Sequence, residues 1–164
     1  MNKLAPIAIA ATLLSACATT GDFSPERVVL MDPERGAAAL ATCSRASPMA
    51  TGGFFTPSPA EITGLESDLA TLLSTSREDV GPAASFAIDP SSYRREYIGY
   101  EQNGARMIYG NFLPVGMSSD RAPTTVCDGG PAFFGVEYAV ADGRVSAVRF
   151  DGSIAGRVQE DILR

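Results

Sequence analysis

The chain has 164 residues, a length suited to one domain with a core of its own, and its 13 basic against 19 acidic residues leave a formal charge of -6. That balance argues against a nucleic-acid partner, whose phosphates need a basic surface. Histidine is absent, which removes Ser-His-Asp and Cys-His nucleophile systems and the zinc sites that contain His.

The first elements are a charged stretch, Met1 to Lys3, and an apolar run from Leu4 to Leu14, followed by small residues. This is the layout of a secretory signal. The run has 11 residues, whereas a membrane-spanning helix needs roughly 20. It closes on Leu14-Ser15-Ala16-Cys17, which resembles the lipobox of bacterial lipoproteins. The resemblance implies that Cys17 receives a diacylglycerol, that residues 1–16 are cut away, and that the new amino group is acylated. It also implies the outer membrane, because Ala18 stands where an Asp favours retention at the inner one. The alternatives are an ordinary signal cut nearby, with Cys17 incidental, or a buried core helix. Several acyl chains, at about 0.8 kcal/mol per buried methylene, would hold the protein on a bilayer facing the periplasm without help from its surface.

With 16 residues removed from 164, the mature chain has 148, and its charge is 12 minus 19, or -7. Its only basic residues are arginines. Residues 17–24, small and polar, read as a flexible tether, and 25–164 as a single domain. Of the three cysteines, lipid would consume Cys17, which leaves Cys43 and Cys127 to form one disulfide in an oxidising compartment. Two free thiols, one of them catalytic, is the sharper alternative, but neither lies in a Cys-x-x-Cys pair or beside a possible base.

Asp32-Pro33-Glu34 opens a helix predicted over about 33–43, with Asp32 as N-cap and Pro33 at the first helical position. Gly52 to Pro57 is a loop whose Phe54 and Phe55 fold over the core. Ser58-Pro59-Ala60-Glu61 is a capping box, and Ile62, Leu65, Leu69, Leu72 and Leu73 follow at helical spacing. The predicted helix, about 59–74, buries that stripe and shows Glu61, Glu66, Ser67 and Asp68 to water. Residues 77–92 read as loop, punctuated by Gly81-Pro82 and Asp89-Pro90.

Tyr93 to Gln102 and Ala105 to Leu113 flank Asn103-Gly104, a strong hairpin signal. A two-residue turn pairs Glu101 with Arg106 as a charge pair, and Tyr100 with Met107 and Ile98 with Tyr109 on one apolar face. The opposite face carries Tyr97, Ile108 and Phe112. Either both faces are covered by the chain itself, or these three form an exposed patch for a partner. Gly129-Gly130 after Cys127 reads as a tight turn rather than an anion nest, and there is no Walker or dinucleotide fingerprint. Nothing calls for a cofactor or a metal.

A second hairpin joins 132–140 to 145–150. A three-residue loop with Gly143 left-handed sets Phe134 beside Phe150 and Val136 beside Val148, the register the apolar pattern selects. Residues 156–164 suggest a short terminal helix. Two hairpins and the capped helix make a two-layer α+β domain with a four-stranded antiparallel sheet.

Phe54-Phe55-Thr56-Pro57, Arg106 to Phe112, and Cys127-Asp128-Gly129-Gly130 with Phe134 to Tyr138 resemble motifs of small secreted bacterial proteins of uncharacterised function, over about Thr42 to Gly152. The likeness supplies no catalytic or binding residues. A helix on such a sheet is also similar in layout to cystatin-like and envelope inhibitor proteins, which establishes no function.

The expected function is a non-enzymatic envelope lipoprotein that binds another protein or a cell-wall component, with Tyr97, Ile108 and Phe112 as the contact patch. An enzyme would have to use carboxylates, Ser or Tyr, for instance Glu96, Glu101 or Glu137 as acid and base on a glycoside. An anion site of Arg94, Arg95 and Arg106 is disfavoured because neighbouring strand residues point to opposite faces, and these read as ordinary surface arginines.

Overall fold

A computed structural model describes residues 27–116 and 122–152, and the backbone of 162–163. The expected signal segment (residues 1–16), Cys17 and the expected tether (residues 17–24) lie outside the described residues. The class is α+β, built on one mixed sheet in the order β1-β3-β4-β5-β6-β7, with β2 also pairing β3. The strands are β1 (Val28–Leu30), β2 (Phe54–Phe55), β3 (Tyr93–Gln102), β4 (Ala105–Pro114), β5 (Phe134–Ala139), β6 (Arg144–Phe150) and β7 (Ile162–Leu163). No helix among the described residues is long and apolar enough to cross a membrane.

The two hairpins form the centre. Asn103 and Gly104 take positive φ angles of 51° and 80°, the conformation a tight two-residue turn requires. Glu101 then faces Arg106, Tyr100 faces Met107 and Ile98 faces Tyr109. In the second hairpin Gly143 has φ 63°, and Phe134 pairs with Phe150 and Val136 with Val148.

The four-stranded antiparallel description is too small. β1 adds a parallel strand on the outer edge of β3 (Val28 to Arg95, Leu30 to Tyr97), and β2 pairs farther along that same edge. Phe54 and Phe55 are therefore strand residues rather than loop. At the other edge Ile162 and Leu163 pair with β6, so the terminal helix does not reach them; residues 153–161 lie outside the description.

Helices pack on one face. α2 (Pro59–Thr75) starts at Ser58, whose hydroxyl accepts from the Glu61 amide while the Glu61 carboxylate accepts from the Ser58 amide. Its stripe of Ile62, Leu65, Leu69, Leu72 and Leu73 is buried as expected. The stretch read as loop carries α3 (Arg77–Val80) and α4 (Ala84–Ile88), with 3-10 turns at Gly81–Ala83 and Pro90–Ser92. Each is too short to show a helical period. Phe86 of α4 meets Phe112 edge-on at 5.0 Å between centroids, and Phe112 stacks on Phe134 at 4.7 Å.

The N-terminal helix is shorter than predicted: a 3-10 turn over Pro33–Arg35, capped by Asp32, runs into α1 (Gly36–Leu40). Leu40, with Met31, packs on Ile98, Tyr100, Met107 and Tyr109 across the second face of the sheet. Residues 41–47 and 122–130 complete that cover and are joined by the Cys43–Cys127 disulfide, whose Cα atoms are 5.4 Å apart. The sheet is thus a middle layer with protein on both sides.

That arrangement removes the proposed patch. Tyr97, Ile108 and Phe112 are each 0% exposed, in one cluster with α2, α4 and the inner faces of β5 and β6. Their apolar character answers to the helix layer rather than to a partner.

Candidate functional site

The unusual chemistry of this fold is a set of charged groups under the disulfide-joined strap on the second sheet face. β3, β4, β5 and β6 place Glu96, Asn111, Gly135 and Arg149 in one row across the strands. A glycine inside a strand marks a close approach by another group, and at Gly135 that group is Arg45. A Cβ built there would lie 2.7 Å from the Tyr109 hydroxyl and 2.8 Å from Arg45 Nε.

Arg45 reaches from the strap across this gap. It pairs with Asp151, donates to the Tyr109 hydroxyl from Nε at 3.2 Å and from Nη2 at 2.8 Å, and donates to Asn111 Oδ1. Asn111 Nδ2 in turn donates to Glu96 Oε2 at 3.1 Å and to the Thr124 carbonyl at 2.8 Å. Thr124 gives Glu96 its backbone N–H at 3.0 Å and its hydroxyl at 2.7 Å. Arg94 Nε stands 3.6 Å from the same carboxylate. Both halves of the strap, one carrying Arg45 and the other Thr124, are therefore anchored to the same row of strand residues.

Burial sets the electrostatics. It holds the Asp151 carboxyl above its ordinary value, against the pull of the Arg45 charge. It also raises the Tyr109 phenol despite Arg45, and raises Tyr100, whose hydroxyl donates to Glu137 Oε2 at 2.7 Å. Glu137 additionally pairs with Arg149. Both phenols stay protonated: Tyr100 donates to Glu137, and Tyr109 accepts from Arg45. A cavity of about 10 Å³ bordered by Arg45, Tyr109, Asn111 and Thr124 has room for about one water molecule.

The carboxylates that an acid and base pair would need are thus engaged separately. Glu96 is held from β4 and the strap, and Glu137 by Tyr100 and Arg149. Glu101 is exposed on the opposite face at the hairpin tip, with Gly53 N–H 3.4 Å from its Oε2. Its expected partner Arg106 is opposite in register but bonds Glu61 at 3.1 Å and lies 4.0 Å over the Phe55 ring. α2 brings Glu61 to that face, and the longer reach of Arg106 follows it.

The three arginines separate as predicted, but two are not surface residues. Arg94 is 8% exposed on the second face. Arg95 is fully buried on the helix face, where Nη1 donates to both oxygens of Glu66 at 2.9 and 3.0 Å, and Tyr97 donates to Glu66 at 2.7 Å. Glu66, expected to face water, turns inward to meet that charge. Asp68 is likewise turned to the sheet and accepts from the Val145 amide at 2.7 Å.

The Gly129-Gly130 turn is structural: Gly130 N–H donates to the Gly152 carbonyl at 2.9 Å. Among the described residues no group of three or more His, Cys, Asp or Glu is placed to hold a metal ion. Gly135→Ala is expected to displace Arg45 and Tyr109 and lower stability by about 1 to 3 kcal/mol, the usual range for overpacking. Denaturant midpoints of the two proteins check this; an unchanged midpoint would mean that Arg45 does not lie against Gly135.

No family model, curated protein or solved structure matches the chain.

Proposed function

We propose that this is a lipid-anchored protein of the bacterial cell envelope, held by acyl chains on Cys17 at the outer membrane and facing the periplasm. Its mature domain acts as a non-enzymatic module that binds an envelope protein or a cell-wall component. The observation that carries the reading is the cysteine arithmetic. Cys43 and Cys127 are bonded to each other across 84 positions of sequence, so the third cysteine of the chain is left over at the end of Leu14-Ser15-Ala16. A disulfide of this kind fits an exported protein.

The absence of His and the engagement of Glu96 and Glu137 in fixed contacts favour binding over catalysis. With Tyr97, Ile108 and Phe112 in the core, the partner must meet another surface.

Expression with an alkyne palmitate tests the anchor. The native chain is expected to carry the label and sediment with membranes, and Cys17→Ser to lose the label and appear in the soluble fraction. Label and sedimentation that survive in Cys17→Ser would overturn the reading.

A further inference from the structure

The same lipid address, combined with the topology, says which end of the domain meets the membrane. β1 runs parallel to β3, with Val28 opposite Arg95 and Leu30 opposite Tyr97. The chain from the anchor therefore reaches the domain at the Tyr93 end of the sheet. Arg27 is ten positions on from Cys17, so a lipid on Cys17 would lie within at most about 35 Å of it. β3 itself has ten residues, or roughly 30 Å. An anchor on Cys17 would thus be joined to the sheet at its Tyr93 end rather than at its Gln102 end.

Four large apolar side chains are exposed among the described residues: Leu30, Met49, Ile88 and Val115. Ile88, at the end of α4, is 69% exposed and Val115 46%, and both lie beside the Pro90–Ser92 turn. Ser92 N–H donates to the Asp89 carbonyl and Val115 N–H donates to the Ser92 carbonyl. Asp89 adjoins Ile88, and its carboxyl is held below its ordinary value first by the Ser91 hydroxyl and further by the nearby Arg27 charge. Ile88 and Val115 thus stand where the tether joins. Met49 is at the opposite end, its carbonyl accepting from Gln102 at 3.1 Å, and Leu30 lies partway along the β1 edge.

We propose that Ile88 and Val115 rest on the bilayer surface to which Cys17 is anchored, so that the domain stands upright with the Asn103-Gly104 hairpin tip pointing away from the membrane. The proposal rests on the lipoprotein reading above. An isolated exposed Ile or Val needs no explanation on a protein surface; two of them at the tether junction, within reach of lipid, have one.

The chain contains no tryptophan, so a single introduced one reports its own surroundings. Ile88→Trp, Val115→Trp and Met49→Trp would each be made in the full chain, purified from membranes and placed in vesicles of phosphatidylethanolamine and phosphatidylglycerol, with and without brominated acyl chains. Brominated lipid is expected to reduce the emission of the Ile88→Trp and Val115→Trp proteins by about twofold, as for side chains set into the headgroup boundary, and to leave Met49→Trp unchanged. Vesicle flotation and the mass of the Cys17 peptide are read on the same samples. Acylated protein that floats while all three variants stay unquenched overturns this proposal and leaves the anchor standing. A blue shift of Ile88→Trp that grows with protein concentration, without quenching, assigns the face to a second copy of the chain and also overturns it. Protein that is not acylated and does not float removes the anchor, and the proposal with it.

Discussion

Loss of the Cys43–Cys127 disulfide is expected to lower the unfolding free energy by about 4 to 5 kcal/mol, the chain-entropy value for a loop of this length. The bridge closes 84 positions of sequence and joins the two segments that cover the second sheet face. Cys43 and Cys127 are both exposed, so reductant reaches them without prior unfolding. The comparison is between guanidinium unfolding of the oxidised Cys17→Ser form, the same protein reduced, and the form that also carries Cys43→Ser and Cys127→Ser. Reduced and substituted proteins should unfold at matching, much lower midpoints. A loss below about 1 kcal/mol would mean that the strap is held chiefly by its polar contacts rather than by the bridge.

Arg45→Met is expected to cost about 3 to 5 kcal/mol at neutral pH, because it leaves a buried carboxylate without its cation. The Asp151 side chain is only 1% exposed, and Tyr109 and Asn111 lose the same partner. The sign of the pH dependence follows from Asp151, whose carboxyl sits above its ordinary value even with Arg45 present. A raised folded value means that the folded state binds the proton more tightly, so the stability contributed is full below the unfolded value near 3.8 and is lost as pH rises through the folded value. Removing Arg45 raises the folded value further and extends that loss toward neutral pH. The deficit of Arg45→Met relative to the native chain should therefore shrink in urea melts as pH is lowered from neutral. A deficit that does not change with pH would show that Asp151 is not the group left uncompensated.

Much of the sheet could be read from short-range chemistry. Asn103-Gly104 specifies its own turn, and once the turn is set the pairing of Tyr100 with Met107 and Ile98 with Tyr109 follows from counting. In the second hairpin the apolar pattern of Phe134, Val136, Val148 and Phe150 selects one register, and Gly143 supplies the backbone conformation it needs. The capping box at Ser58 fixes the start of α2 in the same local way.

The parts that sequence did not reveal depend on contacts made at long range or on elements too short for a period. β1 is three residues, Val-Val-Leu, and its parallel pairing with β3 lies some 67 positions away (95 minus 28). α3 and α4 have four and five residues, and Pro82 between them and Pro90 after them suggest loop. Glu66 reads as solvent-facing because a carboxylate ordinarily is, yet it falls four residues after Ile62 and three before Leu69 on the buried side of α2. Only the distant Arg95 explains why it turns inward.

Arg45 was the functional-looking residue that sequence reasoning missed, since Ser44-Arg45-Ala46 carries no motif. A signal did exist in Gly135, an otherwise unexplained glycine inside a strongly apolar strand. The faces of the first hairpin illustrate the opposite difficulty: both are apolar by pattern, but pattern alone does not say whether a face is covered by its own chain or by a partner. α2 and α4 supply the cover for Tyr97, Ile108 and Phe112.

The proposed lipid anchor is tested most directly by the mass of the N-terminal tryptic peptide of the protein taken from native membranes. The account predicts a peptide running from Cys17 to Arg27, heavier than its sequence by a diacylglyceryl group on sulfur and an acyl chain on nitrogen. An unmodified peptide that begins at another residue, or one that retains Ala16 before a free Cys17 thiol, would contradict it.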